Sequence, residues 1–147
     1  MLKKKIIVSA CLLGERCRYD GQKKEFPEVL EFLKEYEVLP FCPEAPIFGT
    51  PRERISVVHV KGENRIITDE SHEDVTNILE REIRTFLKNN SSVHLSLLKS
   101  KSPSCGYKTT PILNFKKERI AYGNGIAGEI FLENNIVILD EVQLIGN

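Results

Sequence analysis

Cysteine is the residue type in this chain with the most chemistry to offer, and Cys11, Cys42 and Cys105 stand far apart along its length. Thiolates are soft ligands suited to zinc and to iron–sulfur clusters, and they are also nucleophiles able to carry sulfur. Within a reducing compartment, four cysteines point to metal binding or catalysis and away from a disulfide framework. No pair has the C-x-x-C spacing of a zinc-finger or ferredoxin signature, so a shared site has to be assembled by the fold. The bland alternative is that each is a small buried apolar residue. The fourth cysteine, Cys17, lies in the polar stretch Cys17-Arg18-Tyr19-Asp20-Gly21. It reads as structural, with a fourth ligand or a resolving or sulfur-carrying thiol as alternatives.

The elements around the cysteines decide between these readings. Residues 5–10 form a β-branched run typical of a strand buried on both faces, and Cys11 stands at its exit. Residues 26–36, with Pro27 at a permitted first-turn position and Val29, Leu30, Phe32 and Leu33 on one side, predict an amphipathic helix. A second apolar run, 38–41, ends at Cys42. Residues 93–98 form a third strand, followed by a loop over 99–106 that holds Cys105. Ligands of open parallel sheets bind beyond the carboxyl ends of the strands, where the exit loops converge. If these three strands are parallel, all three thiols reach one edge.

The remaining pattern completes an α/β expectation. Residues 14–24 and the Pro- and Gly-rich segment 43–54 read as loops without regular structure. Segments 55–60 and 65–68, joined through Gly62-Glu63-Asn64, predict a β-hairpin. Residues 73–88 space Val75, Ile78, Leu79, Ile83, Phe86 and Leu87 as in a helix, with Asn89-Asn90 after it. A short strand or turn over 119–122, a helix over 126–133 and a last strand over 136–139 follow. The alternation implies a small three-layer α/β fold with a mostly parallel sheet, helices on both faces and an inserted β-hairpin. At 147 residues, 41% of them hydrophobic, the chain suits one domain spanning 1–147.

Charge excludes some functions. The 21 basic and 21 acidic side chains cancel, which argues against a broad surface for DNA or for an acidic membrane. Lys3-Lys4-Lys5 followed by Ile6-Ile7-Val8-Ser9-Ala10-Cys11 imitates a lipoprotein signal. Its apolar run is far short of the roughly seven to fifteen residues that a secretory segment needs, so a cytoplasmic, membrane-free protein is expected. Gly123-Asn124-Gly125-Ile126-Ala127-Gly128 matches G-x-G-x-x-G, with Glu141 near the position of a ribose-binding acid. A dinucleotide site carries that motif in its first βαβ unit, and here the chain ends soon afterwards. The motif reads as a tight turn into a helix whose first amides offer a place for an anionic part of a substrate. His59, His72 and His94 lack metal-ligand spacing and read as structural or surface residues.

From the residues alone, three arrangements of the thiols stay open: a 4Fe-4S cluster, a zinc-stabilised binding module in which Cys17 completes a closed four-thiolate site, and a metal-free sulfur carrier. An ordered set of motifs narrows them. Ser9-Ala10-Cys11-Leu12-Leu13-Gly14, Cys17-Arg18-Tyr19-Asp20-Gly21, Cys42-Pro43-Glu44, Pro51-Arg52, Asp74-Val75-Thr76 and Leu98-Lys99 followed by Ser102-Pro103-Ser104-Cys105-Gly106 together resemble the thiouracil desulfidase-like family, long catalogued as a domain of unknown function. The resemblance covers residues 9–106, and the glycine-rich segment near residue 125 also fits.

What the resemblance implies is a 4Fe-4S cluster held by Cys11, Cys42 and Cys105 with one iron open, and the removal of sulfur from a thiolated pyrimidine or similar small compound without net electron transfer. A thiolated nucleoside of RNA is a further candidate partner. The resemblance puts Glu44 and Ser102 in the active site, Glu44 as the base for an attacking water and Ser102 as a hydrogen-bonding partner of the substrate. Without it, Glu44 is equally well a turn cap or a partner of Arg52, and Ser102 a turn former before Pro103. Arg18, Arg52 and Lys99 either meet substrate or neutralise thiolates. Ala45-Pro46-Ile47-Phe48-Gly49-Thr50 departs from the Gly-Gly-Leu usual in the family between the Cys-Pro-Glu and Pro-Arg blocks, a change that bears on substrate choice and not on the cysteines.

Overall fold

Residues 3–13, 26–49 and 52–145 are described by the structure, a computed structural model. Strand β1 (Lys4–Ser9) buries Ile6, Ile7 and Val8 completely. Because successive side chains leave a strand on opposite faces, Ile6 and Val8 pack with Phe26, Val29 and Leu33, while Ile7 packs with Ile83, Ala127, Ile130 and Phe131. Helices therefore cover both faces. Helix α1 (Pro27–Phe32), opened by Pro27 and continued by a 3₁₀ turn over Leu33–Glu35, lies on one side. Helices α3 (Thr76–Asn89) and α4 (Ile126–Glu133) lie on the other.

Strand β1 is flanked by β2 (Tyr36–Phe41) and β5 (Leu95–Leu98), and β8 (Val137–Asp140) follows β5. All neighbours in this sheet, in the order β2-β1-β5-β8, run parallel. Pro40 is accommodated because β2 is an edge strand, where a missing N–H breaks no ladder. The mostly parallel sheet between two helical layers agrees with the alternation in the sequence.

The hairpin is also present, as β3 (Ile55–Val60) and β4 (Glu63–Thr68). Its loop is only Lys61-Gly62, both with left-handed backbones at φ 52° and 80°, as a two-residue type I′ turn requires. Glu63 and Asn64 thus belong to β4 and not to the turn. The hairpin is half of a second four-stranded sheet, ordered β4-β3-β6-β7, in which β6 (Thr110–Leu113) runs parallel to β3 and β7 (Arg119–Gly123) antiparallel to β6. Strand β6 escapes sequence reading because it is four residues long and contains Pro111. Helix α3 serves both sheets: Leu79 packs with Ile55, Val57, Ile66 and Ile112, and Ile83 packs with the first sheet.

Element ends shift by one to four residues from expectation, and two short helices are added. Helix α3 begins at Thr76, not 73, because Asp74 bridges to Ile67 of β4 and its carboxylate accepts from Arg65 Nε at 2.8 Å and Thr76 Oγ1 at 2.7 Å. Within the loop expected over 43–54, Ala45–Phe48 form one helical turn, α2. Pro46 is compatible with it because the first turn of a helix leaves its N–H groups unpaired anyway. A short helix, α5 (Val142–Ile145), follows β8. The expected loop 14–24, with Cys17 and Arg18, lies outside the described residues. No helix among the described residues is long and apolar enough to cross a membrane.

Candidate metal centre

Parallel pairing of β1, β2 and β5 delivers their exits to one edge. Cys11 sits in the 3₁₀ turn Ala10–Leu13 directly after β1, Cys42 follows β2 at once, and Cys105 lies in the loop after β5. All three line one cavity of about 440 Å³. Its other wall comes from the second sheet, through Ile55, Ser56 and Val57 of β3 and Thr110, Pro111 and Leu113 of β6. The three cysteines are free thiols, Cys11 and Cys42 half-buried and Cys105 buried.

The loop bearing Cys105 is held from three directions. Ser102 Oγ accepts from the amides of Ser104 at 3.2 Å and Cys105 at 3.0 Å. Thr110 Oγ1 and the amide of Gly106 both donate to Ser102 O, at 2.7 and 2.8 Å. From behind, the amides of Ile126 and Ala127 at the start of α4 donate to Pro103 O (3.2 Å) and Ser104 O (2.6 Å), and Gly125 N donates to Gly106 O (2.8 Å). The expectation that these helix amides receive a substrate anion is therefore corrected: the carbonyls of the cysteine loop occupy them. The G-x-G-x-x-G glycines have the same explanation, since a Cβ on Gly125 would meet three backbone atoms at 2.7 Å and one on Gly128 would meet Gly106 O at 2.5 Å.

Glu141 adds an anchor upstream. It is only 5% exposed, and its carboxylate accepts from Ser100 N at 2.7 Å, Ser100 Oγ at 2.6 Å and Lys99 Nζ at 3.1 Å. Burial pushes this carboxyl up, but the Ser100 hydroxyl and amide and the Lys99 ammonium together hold it below the ordinary glutamate value. Lys99, which also lines the cavity, is thus tied to Glu141.

Cys105 is pushed up to about 12, first by burial and further by the nearby charges of Glu44 and Cys42, against the lowering influence of the Ser9 and Ser104 hydroxyls. A thiol in that setting stays neutral at neutral pH unless a cation compensates the thiolate, which is what ligation does. The donor set of three thiols without histidine is a soft one, suited to thiophilic metals.

Glu44 lines the same cavity and is held on both oxygens. Ser104 Oγ donates to Oε2 at 2.6 Å, and Arg52 Nε approaches Oε1 at 3.4 Å, both charged side chains being largely buried. Arg52 Nη1 also donates to Gly49 O at 2.9 Å. The backbone of Glu44 is fixed by α2, whose Ile47 and Phe48 amides donate to Glu44 O at 3.1 and 2.9 Å. Ile47 and Phe48 themselves pack on the second sheet, so the segment Ala45–Thr50 spends much of its apolar character on packing, Thr50 lying outside the described residues. Ser102 reaches the cavity as well, and its Oγ lies 3.1 Å from Ser104 Oγ. None of the three histidines lines it.

The structure thus brings Cys11, Cys42, Cys105, Glu44 and Ser102 together. Sequence reasoning missed Ser104, Ser9 and Glu141. Ser104 stands inside the Ser-Pro-Ser-Cys-Gly block, but nothing in the block's order tells which serine meets the glutamate.

Comparison with known proteins bears on this cavity. A family model described as 2-thiouracil desulfurase matches residues 6–143. The uncharacterized protein YbbK of Bacillus subtilis (strain 168) is 29% identical over 147 residues, covering 95% of this chain and 97% of its own length. The solved structure of the [4Fe-4S]-dependent thiouracil desulfidase TudS is 35% identical, superposes with a TM-score of 0.73, and covers 98% of this chain and 95% of that one.

Proposed function

We propose that this chain, since it belongs to the 2-thiouracil desulfurase family, is a desulfidase that uses a [4Fe-4S] cluster held by Cys11, Cys42 and Cys105 to release the sulfur of a small thiolated pyrimidine. The observation that carries the reading is the convergence of three thiols and one carboxylate, Glu44, on a single cavity. The cavity offers three thiols and no histidine, a soft donor set of the kind that holds iron–sulfur clusters.

When bound, a cluster with three protein ligands supplies one iron open to a soft ligand, a Lewis acid for the sulfur of a thiocarbonyl. The chain's own residues supply the rest. The net change is thiocarbonyl plus water to carbonyl plus hydrogen sulfide, with no electrons transferred. Glu44 takes a proton from the attacking water and returns it to the departing sulfur. Arg52 and Ser104 keep its carboxylate facing the cavity. Ser102 holds the amides of the Cys105 loop and orders the hydroxyl chain that reaches Glu44. A cavity of about 440 Å³ lies in the range of sites for small ligands, which favours a free base or nucleoside over a folded macromolecule.

Protein purified without air decides the matter. Iron and acid-labile sulfide near four each per chain, together with hydrogen sulfide released from thiouracil, are expected. Protein with full iron and no sulfide release from any thiolated pyrimidine removes the enzymatic reading, and protein with zinc in place of iron removes the cluster.

A further inference from the structure

Ser104 is buried to 1% exposure, and its hydroxyl has three neighbours: Glu44 Oε2 at 2.6 Å, Ser102 Oγ at 3.1 Å and Cys105 Sγ at 3.7 Å. A hydroxyl has one proton to donate. An ionised carboxylate only accepts, and 2.6 Å is the length of a charge-assisted O–H···O⁻ bond, so the proton of Ser104 belongs to Glu44. That choice fixes the direction of the chain behind it. Ser102 Oγ already accepts from the amides of Ser104 and Cys105, which uses both of its lone pairs, so its own proton goes to Ser104 Oγ. The order is amides to Ser102, Ser102 to Ser104, Ser104 to Glu44.

The Cys105 sulfur, 3.7 Å away, is thus left without the Ser104 proton. We propose that Ser104 is a positioning residue: its buried hydroxyl is committed to aiming the Glu44 carboxylate and does not serve the Cys105 sulfur. The inference deepens the desulfidase reading and rests on it. Ser104 does not need to touch substrate.

The test combines voltammetry of the cluster with sulfide-release kinetics on anaerobic holoprotein. Hydrogen bonds to cluster sulfurs raise the reduction potential. Ser104→Ala is expected to leave the potential unmoved, since its proton goes to Glu44. Ser104→Ala is expected to keep its iron, to lower kcat about ten- to a hundredfold, the worth of one hydrogen bond to a charged group, and to leave KM within about twofold. Because Ser104 acts through Glu44, the double variant Ser104→Ala with Glu44→Gln should be no slower than Glu44→Gln alone. A lowered potential in Ser104→Ala, or a double variant in which the two losses multiply, overturns the assignment. If the alanine variant does not take up iron, Ser104→Thr, which keeps the hydroxyl, replaces it: near-normal kcat and potential support the role, and lost turnover with iron in place refutes it. Should wild-type protein release no sulfide at all, the desulfidase reading falls by itself, and the potential of Ser104→Ala still decides whether its hydroxyl serves the sulfur.

Discussion

Gly125→Ala is the substitution whose consequence the packing defines most sharply. A Cβ there would lie 2.7 Å from Pro103 O, Ser102 O and a backbone carbon of Ser104, all of them backbone atoms of the cysteine loop and none able to swing aside as a side chain would. An ordinary contact of about 3.4 Å requires loop and helix to separate by roughly 0.7 Å, and overpacking of this kind costs about 1–3 kcal/mol. The separation stretches the hydrogen bonds Ala127 N to Ser104 O and Gly125 N to Gly106 O, now 2.6 and 2.8 Å, at about 1 kcal/mol each. The total is about 3–5 kcal/mol, concentrated at the loop that presents Cys105. Chemical denaturation of the iron-free protein and iron content after anaerobic loading are the assays. Expected are a stability loss of that size and a much reduced iron content. Gly62→Ala is the comparison, because a Cβ there meets nothing within 4 Å and the only penalty is the left-handed φ of 80°, about 1 kcal/mol and remote from the cavity. Gly125→Ala protein with wild-type stability and full iron would show that the loop is not clamped against α4, and the reasoning about the glycine motif would fail with it.

Three further outcomes are expected. Cys11→Ala, Cys42→Ala and Cys105→Ala should each abolish cluster binding while Cys17→Ala retains it at least in part; complete iron loss in a folded Cys17 variant would mean four-cysteine ligation. Glu44→Gln should keep its iron and lose about a hundredfold or more of sulfide release, the usual worth of a general base, and unchanged turnover would remove Glu44 from the mechanism. Glu141, whose carboxyl is held below its ordinary value in the folded protein, contributes stability that is present above the unfolded value of 4.5 and is lost as pH falls through that value toward the lowered one. The melting temperature of wild-type protein should therefore fall more steeply with acid than that of Glu141→Gln, and parallel curves would show that the Ser100 and Lys99 contacts do not stabilise the carboxylate.

Several features were readable from local pattern because local physics produces them. The β-branched run before Cys11, the apolar run before Cys42 and the helix over 126–133 are set by side-chain sterics and hydrophobic period, which act within a few residues. Their order, strand then helix then strand, also implied a parallel sheet and hence a common edge for three thiols, and the structure has that edge. Strand exits alone point to Cys11, Cys42 and Cys105, whereas Glu44 and Ser102 follow only from the family resemblance; all five line the cavity.

What the sequence could not contain is pairing between distant segments that carry no mark of one another. Strand β6, short and holding Pro111, is a strand because β3 and β7 flank it, and through it the hairpin becomes the far wall of the cavity. The G-x-G-x-x-G segment, which looked like a helix start awaiting an anion, is filled by carbonyls of a loop about twenty residues upstream in the chain. Ser104 and Glu44 are 60 residues apart and meet at 2.6 Å; Ser100 and Glu141 are 41 apart and meet at 2.6 Å. Residue types and local order thus determined which groups are able to do chemistry and which edge of the sheet would hold them. Only the tertiary structure decided which hydroxyl faces which acceptor, because a hydrogen bond is chosen by tenths of an ångström that no spacing along the chain records.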